Sequence, residues 1–272
     1  MHASHADRYL FAAGLLLFGV LNIAFGAFSM PWQPIVGIPL QPELARGAGA
    51  LLSVCALILF VPRTAAWAAV LATAAFMLLF WIPQVVFLGQ LALSHKGLSV
   101  GACLPLSEDT AMLCGAVTLT ALTARGTALE RSWLGFPGLV MTARIGFGLA
   151  CVVFGLSHFV YADFTAQMIP GFLPFRLALA YITGAGHLLA GLAILSGVMA
   201  RLAAVLEAVM MSSFVVLVHI PMLVAGPKPE AMQIDWTMLA AAMTLSGSAW
   251  IVARSLADKP WAFKAPAVWQ SA

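Results

Sequence analysis

The chain has 272 residues, of which 62% are hydrophobic and only 8% charged, and its mean hydropathy is +1.01. Most of its surface must face lipid or other helices, which excludes a water-soluble globular domain and makes it an all-α polytopic membrane protein with the bilayer as its first partner. A formal net charge of +3 is what basic loops on one membrane face produce, and it gives no reason to expect a nucleic-acid partner.

Eight apolar runs follow in chain order, near 9–28, 44–61, 65–88, 109–124, 139–161, 177–198, 202–225 and 235–253. Each is close to the roughly 20 residues needed to cross the hydrocarbon core. They are long and continuous, so they read as helices and not as barrel strands of about 10 alternating residues. The first run matches a later one, so it reads as a retained helix and not a signal peptide. Prolines at Pro31, Pro34, Pro39 and Pro42, and again at Pro170 and Pro174, mark ordered outer loops or re-entrant turns placed to lid a pocket. Arg8, Arg63, Arg125, Arg131, Arg144, Arg201, Arg254, Lys259 and Lys264 share one face; Arg46, Lys96, Arg176 and Lys228 lie towards the other. The positive-inside rule then places both termini in the cytoplasm.

The halves repeat. Residues 8–28 align with 144–164 at an offset of 136, matching Arg8 with Arg144, Phe11 with Phe147, Phe18 with Phe154 and Gly19 with Gly155. The strings GAGALL from Gly47 and GAGHLL from Gly184 match further on, as do Ile82-Pro83 and Ile220-Pro221. This predicts two parallel four-helix repeats, residues 1–130 and 131–272, joined by a short connection near 125–138.

The second repeat carries what the first lacks. His158, His187 and His219 fall in three different spans, where the aligned first-half residues are Asn22, Ala50 and Trp81. Ionisable groups within a bilayer are costly and mark working sites. Counting from Arg144 and Arg201 at 1.5 Å per residue puts the three histidines at about 21, 21 and 27 Å, nearly one level in the outer half. Three imidazoles there suit zinc or copper; two suit axial ligation of a haem; either set suits hydrogen bonding to a quinone or proton transfer. Glu207, about 9 Å from the inner boundary, is a candidate proton relay or a snorkelling partner for a basic residue. Cys103 and Cys114 flank an expected outer loop, where an oxidising compartment would allow a disulfide. No phosphate-loop or nucleophile-elbow motif supports ATP-driven or hydrolytic chemistry.

The string GLSHFVYADFTAQMIPGFLPF from Gly155, followed by YITGAGHLLAG from Tyr181 and then Arg201, resembles the DoxX-like membrane proteins, compact four-helix modules. The resemblance covers residues 144–225 and, through the duplication, the first half more faintly. It implies a bacterial inner-membrane protein linked to redox work, with a soluble redox partner. His158 matches the family's His-Phe at the end of its first helix, and His187 stands where the family has glutamate. The resulting expectation is a redox-associated membrane protein whose second repeat binds a quinone, haem or metal ion through His158, His187 and His219. The alternatives are a small-solute carrier or channel and a structural membrane subunit for a soluble enzyme.

Overall fold

A computed structural model describes residues 6–94, 97–132, 137–226 and 228–262; Lys96 and Lys264, used above for orientation, lie outside them. The described chain is all-α. Its elements are α1 (Ala6–Phe25), α2 (Gln41–Leu59), α3 (Ala65–Phe76), α4 (Ile82–Leu93), α5 (Val100–Ala124), α6 (Pro137–Val160), α7 (Ala162–Met168), α8 (Arg176–Ser196), α9 (Ala200–Phe214), α10 (Ile220–Val224) and α11 (Met232–Ser255). A π turn, Met77–Trp81, joins α3 to α4, and a second, Val215–His219, joins α9 to α10. Each precedes an Ile-Pro pair, and proline removes an amide that an α-helix would use, so the wider turn accommodates the break without ending the rod.

Seven rods are long and apolar enough to cross a membrane, among the described residues. The protein is therefore a multi-pass membrane protein. The 25-residue α5 is long enough but more polar, and its position explains why. It packs against α3, α6 and α11, with Asp109, Thr118 and Thr120 buried, so most of its surface never meets lipid. Its neighbour α11 is the least apolar of the seven rods and the most buried. Small residues let these central helices approach: a Cβ on Gly115 would meet the Ser248 backbone at 2.8 Å, the close packing that drives helix association in lipid.

The start of α5 corrects two expectations. The outer loop expected between Cys103 and Cys114 is helix, nucleated by Ser99, whose hydroxyl accepts the Ala102 amide at 3.1 Å, and it continues through Pro105. Cys103 and Cys114 consequently lie on one helix, eleven residues and about 16 Å apart by helical rise. A disulfide needs Cα atoms within about 7 Å. All four cysteines are free thiols. Full-length protein is expected to migrate identically with and without reductant and to take up maleimide, after denaturation, at all four cysteines; a reductant-dependent shift would restore the disulfide.

Two apolar cores lie side by side. One, centred on Phe11, Phe18, Phe76, Phe80 and Trp32, fills the first half; Phe18 meets Phe80 edge-on at 5.2 Å. The other, around Phe147 and Phe154, is rich in alanine and leaves a cavity above it. Asn22 belongs to a polar knot in the first half: its Nδ2 donates to Gln33 Oε1 at 2.9 Å, and Ser29 Oγ donates to Asn22 Oδ1 at 2.8 Å. That knot holds Trp32 inward, where its Nε1 donates to Glu108 at 2.5 Å.

Candidate functional site

Helices α6 and α8 cross at glycines. A Cβ on Gly155 would lie 2.8 Å from the Gly184 carbonyl oxygen, and one on Gly184 would lie 2.7 Å from His158 Cβ. This close approach brings the His158 and His187 rings into edge-to-face contact, with centroids 5.1 Å apart. Phe214, the last residue of α9, packs on both rings, and Phe154 packs edge-on against His187.

Beneath the rings is a buried pair missed by counting along the sequence. His187 Nδ1 donates to Glu207 Oε1 at 2.7 Å, and the two residues are 3% and 1% exposed. The Cys151 thiol donates to the same oxygen at 3.6 Å; Glu207 Oε2 has no hydrogen-bond partner among the described residues. Glu207 therefore neither snorkels nor pairs with arginine or lysine. Counting depth from Arg201 assigned helical rise to the turn at 197–199. Measured from the ends of α8 and α9 instead, His187 is nine residues in and Glu207 seven, about 13 and 10 Å, which puts them level.

His158 is held by a different set. Thr183 Oγ1 donates to the Leu179 carbonyl at 2.8 Å, so it accepts from His158 Nδ1 at 2.9 Å, and that Nδ1–H is also 3.2 Å from the Ala180 carbonyl. These proton positions follow from the hydrogen-bond network. With Nδ1 of both histidines occupied as donors, the two Nε2 atoms are left for a ligand.

The rings border a cavity of about 650 Å³, within the usual range for small-molecule sites. Its walls are overwhelmingly apolar, with Leu104, Leu217, Met238 and Leu245 among them, and Glu108, with its Trp32 partner, lines it as well. Helix α7 and the proline-containing segment after it contribute Phe164, Met168 and Leu173, as expected of a lid. His219 lines the same cavity but not at the same level. It is five residues beyond Phe214, about 7 Å further along the rod, and so stands apart from the contacting pair. Among the described residues, no three His, Cys, Asp or Glu side chains are grouped closely enough to hold a metal ion.

Residues 147–253 match a family model described as a domain of unknown function, DUF8561. The matched stretch contains Cys151, His158, His187, Glu207 and His219, that is, the whole histidine end of the cavity. No curated protein matches the chain, and no solved structure does.

Proposed function

We propose that this protein is a redox-associated, DoxX-like protein of the bacterial inner membrane, both termini cytoplasmic, that binds the headgroup of a quinone in the second-half cavity. The observation that carries the reading is the His187–Glu207 pair buried beside His158 at the end of a largely apolar cavity. An isoprenoid-tailed quinone has the complementary form, a ring with two oxygens on a long hydrocarbon body. His158 Nε2 and His187 Nε2 are the groups available to its oxygens.

The dyad has the arrangement of an oriented base. Glu207 holds His187 by Nδ1 and stabilises the imidazolium that forms when Nε2 takes a proton from a hydroquinone hydroxyl. In this reading His158 Nε2 takes the proton of the second hydroxyl, and the two electrons released with the two protons pass to a soluble redox partner. The quinone reading is favoured over haem because two rings in edge contact leave no gap for a macrocycle between them. It is favoured over zinc or copper because His219 stands a level away from the other two.

The two halves as four-helix repeats, 1–130 and 131–272, with α5 as an eighth span, belong to the same reading. The paired π turns support it, as do the left-handed residues Leu40 and Phe175 that open α2 and α8. So do the paired crossings, since Gly49 approaches Asn22 as Gly184 approaches His158. This register puts Leu52, not Ala50, opposite His187. Trp32 and Phe80 then occupy in the first half the kind of space that is cavity in the second.

Titrating the detergent-purified protein with a short-tailed benzoquinone, read by calorimetry, tests the proposal. Saturable binding is expected, weakened at least tenfold in His158→Ala and in His187→Ala. Ala242→Phe, which adds a ring to the α11 side of the cavity wall, is expected to weaken it comparably. Absent binding, or binding indifferent to all three substitutions, would refute the assignment.

A further inference from the structure

Among the described residues Glu108 is the one carboxylate in the cavity wall, and the proton transfers to the histidines leave it unused. It comes from α5, and one of its oxygens is spoken for: Oε2 accepts the Trp32 indole N–H at 2.5 Å. Trp32 is itself fixed, with Gln33 beside it bound to Asn22 and the carbonyl of Pro31 before it accepting from Gln84 Nε2. An indole nitrogen only donates, so the Trp32 side of the carboxyl must be the accepting oxygen. Oε1 makes no hydrogen bond among the described residues and is not sealed from the cavity.

Glu108 stands at the depth of the histidine pair. Helices α5 and α6 pack antiparallel, and a Cβ on Gly146 would lie 2.7 Å from Cys114 Sγ, which makes those two positions level. From there towards the cavity, Glu108 is six residues along α5 and Phe154 eight residues along α6. These rises are about 9 and 12 Å, so Glu108 comes within about 3 Å of the level of Phe154. The Phe154 ring packs on His187, with centroids 5.6 Å apart.

At this depth the wall has spent its donors. The Ser157 hydroxyl donates to the Phe154 carbonyl at 2.8 Å, Thr183 to Leu179 at 2.8 Å and Ser213 to Met210 at 2.6 Å, and both histidines use Nδ1–H. What a ligand meets is therefore a set of acceptors, His158 Nε2, His187 Nε2 and Glu108 Oε1. The two hydroxyls of a hydroquinone satisfy the two imidazoles, and the carboxyl oxygen is one acceptor more than they can fill. We infer that Glu108 Oε1 accepts a hydrogen bond from a donor substituent, amino or hydroxyl, on the quinone ring, an assignment that rests on the quinone reading and names which quinones the site selects. A ring bearing an acceptor such as methoxy in that place sets two acceptors against each other, and a buried polar atom without a partner is costly.

Calorimetric titration of the full chain in detergent with amino-, methoxy- and unsubstituted naphthoquinone tests the assignment. Wild type is expected to bind the amino ligand at least tenfold more tightly than the methoxy ligand. In Glu108→Gln the Trp32 indole keeps the amide oxygen on its own side and turns the NH2 group to the cavity, so the order of the two ligands is expected to reverse. Glu108→Ala is expected to abolish the difference. A reversal cannot come from misfolding, which would weaken both ligands together. Equal affinity of wild type for the two, a wild-type preference for the methoxy ligand, or an order unchanged in Glu108→Gln would overturn the inference, while binding of the unsubstituted ligand still upheld the quinone site. Wild type binding none of the three would refute the quinone reading and this assignment with it.

Discussion

Glu207→Leu is expected to lower the stability of the folded bundle by about 2 kcal/mol, the cost of leaving a buried hydrogen-bond donor without its acceptor. The change strands His187 Nδ1 as an unpaired donor in a 3% exposed position and removes the acceptor of the Cys151 thiol. His187→Leu is expected to cost at least as much, because it leaves the buried Glu207 carboxylate with the Cys151 thiol as its one hydrogen-bond donor among the described residues. The double variant His187→Leu/Glu207→Leu is expected to recover most of the loss, since two apolar side chains of similar volume replace a pair whose desolvation offsets its attraction. Unfolding in graded SDS–detergent mixtures of the four proteins measures the coupling. Additive losses would show that the pair does not act as a unit. Quinone binding should be lost in all three variants, so stability and binding separate in the double variant, as expected of a pair kept for function and not for folding.

Gly155→Val is expected to be the most damaging single change that leaves every polar side chain in place. The added side chain has no room: its Cβ alone would lie 2.8 Å from the Gly184 carbonyl and 2.8 Å from Leu188 Cβ. The second crossing point is as tight, with a Cβ on Gly191 falling 2.6 Å from the Gly148 carbonyl, so α6 and α8 must separate as a unit. Overpacking of this kind costs about 1–3 kcal/mol. The separation also moves His158 from the ring it touches, and quinone affinity is expected to fall at least tenfold although no polar group has changed. Gly186→Ala is the control. Its Cβ meets only the flexible end of Met210, sulfur at 2.9 Å, and both stability and binding should stay near wild type.

The spans were legible because bilayer thickness dictates their length; α2, α8 and α9 begin within a few residues of the apolar runs. The first third of α5 was not legible, because Glu108-Asp109 beside Pro105 has the composition of a loop, and the Ser99 cap together with the shielding by α3, α6 and α11 makes a helix of it. The convergence of His158 and His187 was visible in the glycines at Gly155 and Gly184. His219 stands about one turn beyond the other two, as heights of about 21, 21 and 27 Å imply; the turn at 197–199 affects only the count for His187, and treating it as helix hid the Glu207 partner. The signal that finds the pair is the near-equal distance of His187 and Glu207 from that turn. Nothing in the sequence marked Arg8 as buried. Its place follows from α1 packing along α11, a contact between the two ends of the chain.

The most direct measurement of the central claim is the quinone, haem and metal content of protein extracted from its native membrane, wild type beside the His158→Ala/His187→Ala double variant. Close to one quinone per wild-type chain, absent from the variant, is the predicted result. Wild type carrying no quinone, or the variant retaining as much as wild type, would contradict it; a haem spectrum or stoichiometric metal lost in the variant would assign these histidines to ligation instead.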